Sequence, residues 1–185
     1  MSKTLRLAVV SDLHCTDNID RRKLTHLHPD TPGVPVSRHP VEALKKLIKD
    51  NVLKVDVLLC PGDITDQINK GGFYAGWKYL EEIGSALTVG ENIFATLGNH
   101  DVNSRIEKPD EAFVIAKNLR NNYPVPTAEL QASYWGEHFC IVENEDYRLF
   151  IFNSVHKHFN LETSKNSSLD GATLDRIEER LKKTD

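Results

Sequence analysis

The stretch LRLAVVSDLH, residues 5–14, sets a short apolar and partly β-branched run, Leu5 to Val10, directly against Ser11, Asp12 and His14. Such a run predicts a buried strand with a polar end. The same signature returns twice. Val55 to Cys60 stops at Pro61-Gly62-Asp63, and Ile93 to Leu97 runs into Gly98-Asn99-His100-Asp101. Between them, Val41, Leu44, Leu47 and Ile48 follow helical spacing from Pro40, and Phe73, Trp77, Leu80 and Ile83 line one face of a second helix. The pattern is βαβαβ, which implies a parallel sheet. In open α/β sheets ligands sit beyond the carboxyl ends of the strands, where the three polar clusters converge.

Outward from this core the signals are weaker. Thr16 to Pro40 holds four of the eight prolines and the basic residues Arg21, Arg22 and Lys23, with His26 and His28, and reads as a long loop. A helix is expected over Asp110 to Arg120. Tyr134 to Glu143 and Tyr147 to Ser154, separated by Asn144-Glu145-Asp146, predict an antiparallel hairpin. A last amphipathic helix carries Leu174, Ile177 and Leu181. His156-Lys157-His158 reads as loop.

The chain has 185 residues, enough for one domain with its own core, and the whole of 1–185 reads as a single domain. Its net charge of −4, with both signs mixed, offers no general basic field for nucleic acid or anionic membranes. No apolar run approaches membrane-spanning length. Three cysteines, Cys15, Cys60 and Cys140, lack metal-ligand spacing and point to a reducing compartment. With no apolar signal core at the N-terminus, a cytoplasmic location is expected.

Asp12, His14, Asp63 and Asn99 supply one imidazole and three oxygen ligands, a mixed set that suits manganese, iron or zinc better than calcium or magnesium. Each residue taken singly is also an ordinary turn or cap residue. Three turns choosing ligand types at one sheet edge favour the metal.

VVSDLH, PGDITD and LGNHD, in that order, resemble the first three signature blocks of the calcineurin-like metallophosphoesterase superfamily. RLFIFNS and SLDGATLDRIEERL extend the resemblance more loosely along the chain. It implies a four-layer α/β/β/α sandwich with mixed sheets and two divalent metal ions. Asp12 and His14 would bind the first ion, Asp63 would bridge both, Asn99 would bind the second, His100 would be the catalytic histidine and Asp101 would orient it. Asp66 matches a residue that positions the catalytic histidine, although a capping role suits it equally. Gln67 stands where the protein phosphatases have arginine and Asp101 where they have glutamate, so a phosphodiesterase is the favoured reading.

The family's later blocks, one histidine at a strand end and a GHxH pair, do not occur in the sequence. The expectation is therefore a sandwich lacking its C-terminal portion, with an incomplete sheet through which copies associate and with little catalysis from these residues alone. The substrate would be a phosphodiester or phosphomonoester. Two alternatives stand beside it: a nuclease of the same fold, and a catalytically incomplete scaffold or regulatory domain.

Overall fold

Three short parallel strands carry the molecule. A computed structural model describes residues 4–18, 27–29, 39–106, 108–120, 122–165 and 170–182. Strand β1 (Leu7–Val9) pairs with β2 (Val57–Cys60), and β2 pairs with β3 (Ile93–Ala95), in the order β1-β2-β3. The register sets Leu7 opposite Val57 and Cys60 opposite Ala95. Helix α1 (Pro40–Asp50) connects the first pair and α2 (Lys70–Leu87) the second. The parallel βαβαβ pattern is present as the periodicity predicts. The basic cluster Arg21-Arg22-Lys23 and His26, like most of the predicted long loop, lies outside the described residues.

Local chemistry explains where the helices start. Pro40 occupies the first turn of α1, and His39 Nδ1 accepts the Glu42 N–H. Asn69 caps α2 through the Gly72 N–H at 2.6 Å, and its side chain also accepts the Asp17 N–H. Phe73, Trp77, Leu80 and Ile83 are buried, as their spacing predicts. The glycines of α2 do something periodicity does not announce. A Cβ at Gly72 would overlap the Cys15 carbonyl, and one at Gly76 would meet Ile64 Cγ2. The helix therefore lies directly on the loops that leave β1 and β2.

The second half departs from expectation in several places. Tyr134 to Glu137 is helical, part of α5 (Ala128–Glu137), and only Phe139–Glu143 forms strand β4. Thr127 caps α5 by accepting the Leu130 N–H, and buried Tyr134 reaches from the helix to accept the Leu97 N–H at 3.1 Å. The expected helix at 110–120 is two single turns, α3 (Pro109–Ala112) and α4 (Val114–Lys117), interrupted at Phe113, whose φ of −109° and ψ of 2° leave the helical basin. Strand β5 (Arg148–Phe152) pairs antiparallel with β4, as predicted. Asn144 Oδ1 closes the hairpin by accepting the N–H groups of Asp146 and Tyr147. In α6 (Gly171–Lys182) Ile177 is buried, but Leu174 and Leu181 face solvent.

Two apolar clusters result. The larger fills the space between the parallel sheet and helices α1 and α2. The smaller, around Val57, Phe94, Tyr134, Cys140 and Ile151, joins the opposite face of the sheet to α5 and the hairpin. Toward β1 that face is uncovered among the described residues: Leu7 and Val9 are 51% and 60% exposed. The expected buried strand is thus an edge strand with an open face.

Candidate metal centre

The loops leaving β1 and β2 continue to run side by side after the strands end. Asp12 N–H bonds to Gly62 O, His14 N–H to Asp63 O at 3.0 Å, and Cys15 N–H to Ile64 O at 2.9 Å. This ladder places Asp12, His14 and Asp63 together, with one potential ligand atom from each within 4.8 Å of the others. All three have left-handed backbone, with φ of 56°, 43° and 52° respectively. Such conformations cost on the order of 1 kcal/mol each and persist where surrounding structure imposes them. Here the ladder imposes them.

The third block is laced to the second. Asn99–Asp101 forms one 3-10 turn after β3. The His100 N–H donates to Asp63 Oδ1 at 2.9 Å, and the His100 carbonyl accepts the Ile68 N–H at 2.8 Å. Gly62, at φ 123°, passes so close to Gly98 that a Cβ there would overlap the Gly98 backbone. A Cβ at Gly98 would in turn overlap Asp63 Oδ1. Only hydrogen fits at either position.

The His100 ring lies edge-on to His14, with centroids 4.5 Å apart. Its Nδ1 is 3.2 Å from Asp66 Oδ1. A carboxylate accepts, so Nδ1 carries the hydrogen and Nε2 remains available to a substrate. His14, Asp66 and His100 form a second close group. Because Asp66 is 4% exposed and already bonded to His100, that group reads as a positioned histidine beside the candidate ligands.

Asp101, expected to orient His100, is hydrogen-bonded to backbone groups. Its carboxylate, fully buried, accepts the Thr65 N–H at 2.9 Å and the Gly98 N–H at 3.0 Å, which ties the second block to the third. Asp66 makes the contact to the His100 ring. Burial pushes the Asp101 carboxyl up to about 7, against the opposing pull of those N–H donors. Asn99 is exposed in the same turn as His100 and lines a cavity with it. His156 stacks on His138 at 4.2 Å and meets Asp170, apart from the candidate ligands. Burial pushes the Cys60 and Cys140 thiols up to about 12, so neither is a nucleophile near neutral pH.

The sequence model of the calcineurin-like phosphoesterase family matches residues 5–182. The chain belongs to that family. No curated protein matches it significantly. In this calcineurin-like phosphoesterase the three signature blocks are the three loops whose hydrogen bonds have just been described. Membership and the ligand-type groups together support hydrolysis of phosphoesters with a divalent metal. No helix among the described residues is long and apolar enough to cross a membrane. What the motifs left unread is the interlock of Gly62, Gly98 and Asp101, which involves contacts between blocks far apart in sequence.

Proposed function

We propose that this protein is a metal-dependent phosphodiesterase whose dinuclear centre is held by Asp12, His14, Asp63 and Asn99, with His100 as the catalytic histidine. The observation that carries the proposal is the close group Asp12, His14 and Asp63, with the His100 ring 4.5 Å from that of His14. The donors fit divalent manganese, iron or zinc: one imidazole and two carboxylates are fixed by backbone that is already bent to present them. Bound there, the ions would supply charge neutralisation and a nucleophile at neutral pH.

The chain's own residues do the rest. One water is consumed, its oxygen bonding phosphorus as the bond to the leaving alcohol breaks. The alcohol oxygen takes a proton from Nε2 of the His100 imidazolium, which carries hydrogens on both ring nitrogens, and the proton released by the attacking water restores that form for the next turnover. Asp66 stabilises the imidazolium through Nδ1, as an orienting carboxylate does for other catalytic histidines. Asp101 acts indirectly, by holding the Thr65 and Gly98 backbone.

A diester is favoured because Gln67 stands at the position of the protein phosphatases' arginine, so the second charge of a monoester has one fewer cation to meet it. The net charge of −4 disfavours the nuclease reading. On this reading the two sheets are inner layers of a four-layer sandwich, and the open edge at β1 is a site of self-association. Three free cysteines fit a cytoplasmic location.

Titration with manganese, followed by hydrolysis of bis(p-nitrophenyl) phosphate, tests the proposal. Tight binding that Asp63→Asn abolishes, and turnover that His100→Ala abolishes, are expected. Metal binding and turnover both unchanged in Asp63→Asn would sink it. No binding and no turnover with any divalent ion would favour a scaffold. Plasmid and oligonucleotide substrates separate the nuclease.

A further inference from the structure

Beside His100, on the side of the 3-10 turn, lies a cavity of about 370 Å³. That volume is within the range of small-ligand pockets. Gln67, Asn99, Asn103 and Ser104 line it with carboxamides and a hydroxyl between His100 and Arg105. Among the described residues no aromatic ring other than His100 borders it. Its wall at Gln67 and Ile68 consists of two successive residues with left-handed backbone, φ 47° and 55°, held by the bond from Ile68 N–H to His100 O. The wall is built rather than incidental.

Arg105 sets the charge of this cavity. Its backbone N–H donates to Asn103 Oδ1, but its guanidinium has no carboxylate partner among the described residues. Lys108, three positions on, is by contrast paired with Glu111 at 2.6 Å. A cation with no carboxylate partner among the described residues, set among neutral donors and acceptors, suits an anionic and hydrophilic guest better than an aryl or nucleobase group, which asks for a flat apolar wall.

We propose that this cavity receives the leaving alcohol of the phosphoester, and that Arg105 selects alcohols carrying a negative charge distal to the ester oxygen. The inference rests on the reading of His100 as the group that protonates the leaving oxygen, because a leaving oxygen within reach of His100 puts the rest of its alcohol beside that ring. Arg105 is a specificity residue in this scheme. It takes no part in bond breaking.

The test separates the cavity from the chemistry. Amide chemical shifts of the metal-free chain are followed during titration with glycerate, with glycerol and with phenol. Glycerate is expected to move Gln67, Asn103 and Arg105 saturably, with an affinity lowered about tenfold or more in Arg105→Gln. Glycerol and phenol are expected to leave them in place. Glycerate shifts confined to Asp12 and His14, or unchanged in Arg105→Gln, would overturn the assignment, as would equal shifts with glycerol. With metal added, Arg105→Gln is expected to lower kcat/KM about tenfold for a methyl phosphodiester of glycerate and less than twofold for phenyl methyl phosphate. Equal losses on both would count against it. Failure of the hydrolase reading shows separately, as absent metal binding with the glycerate shifts intact.

Discussion

His100 meets two carboxylates through different atoms, its backbone N–H on Asp63 and its ring Nδ1 on Asp66, and the two contacts have separable consequences. Asp66→Asn keeps the shape but removes the acceptor charge that stabilises the imidazolium. On the proposed mechanism kcat should fall about 10²- to 10⁴-fold with metal affinity retained, which steady-state rates and calorimetric titration would show together. An equal loss of metal binding would place Asp66 among the ligands instead. Gly98→Ala acts on the other contact. Its methyl group overlaps Asp63 Oδ1 and the Asp63 backbone N, so about 1–3 kcal/mol of stability should be lost, read from denaturation midpoints. Metal affinity should fall with it. Of these residues the sequence discloses the ligand types and His100 through motif chemistry. It offers both Asp66 and Asp101 as partners of that histidine, because both are acids close to it in the motifs, and only the hydrogen bonds separate them: Asp66 to the His100 ring, Asp101 to the Thr65 and Gly98 N–H groups.

At the scale of elements, α2 acts as a floor for the ligand loops. Its glycines bring Cys15 and Ile64 against the helix backbone, and Thr65 Oγ1 adds bonds to Cys15 O at 3.1 Å and Asn69 O at 2.8 Å. Gly72→Ala gains helix propensity, worth about 1 kcal/mol in an exposed helix, yet here its Cβ meets the Cys15 carbonyl. Net destabilisation of about 1–3 kcal/mol is expected. Hydrogen exchange should speed up at His14, Cys15 and Asp66, whose N–H groups bond within the two loops. Protection unchanged at those amides would show that the loops hold themselves. The strands, α1 and α2 are legible because each repeats a clear period. Tyr134 to Glu137 is not, since aromatic residues before a strand satisfy either period and the deciding contact, from Leu97 N–H to Tyr134, spans 37 residues.

Across the whole molecule, the histidines away from the ligands set an acid limit. Burial holds the imidazoles of His138 and His158 below their ordinary range, and His138 is lowered further by His156 and Arg176, against an upward pull from Asp170. The unfolded chain therefore takes up protons near pH 6.5 that the folded chain refuses. Stability from these two groups is fully present above about pH 6.5 and is lost as pH falls below it. Asp101, whose carboxyl burial pushes up to about 7, pulls the opposite way over the same range. The histidine share is therefore read by difference: His138→Gln should raise the thermal midpoint at pH 5 relative to that at pH 7, changing the gap from that of the parent chain. A gap of the same size in the variant would assign the acid sensitivity elsewhere. None of this is readable from the His156-Lys157-His158 stretch, which looks like any polar loop until His156 is seen stacked on His138.

The left-handed backbone at Asp12 and Asp63 bears on how such a centre changes over evolutionary time. Asparagine tolerates that conformation nearly as well as aspartate, and one nucleotide change separates their codons. A single step can thus remove a candidate ligand's charge while the interlocked loops keep their shape. Alanine and β-branched replacements would be filtered out by the backbone before catalysis is ever selected upon. Drift at these positions should accordingly run through asparagine.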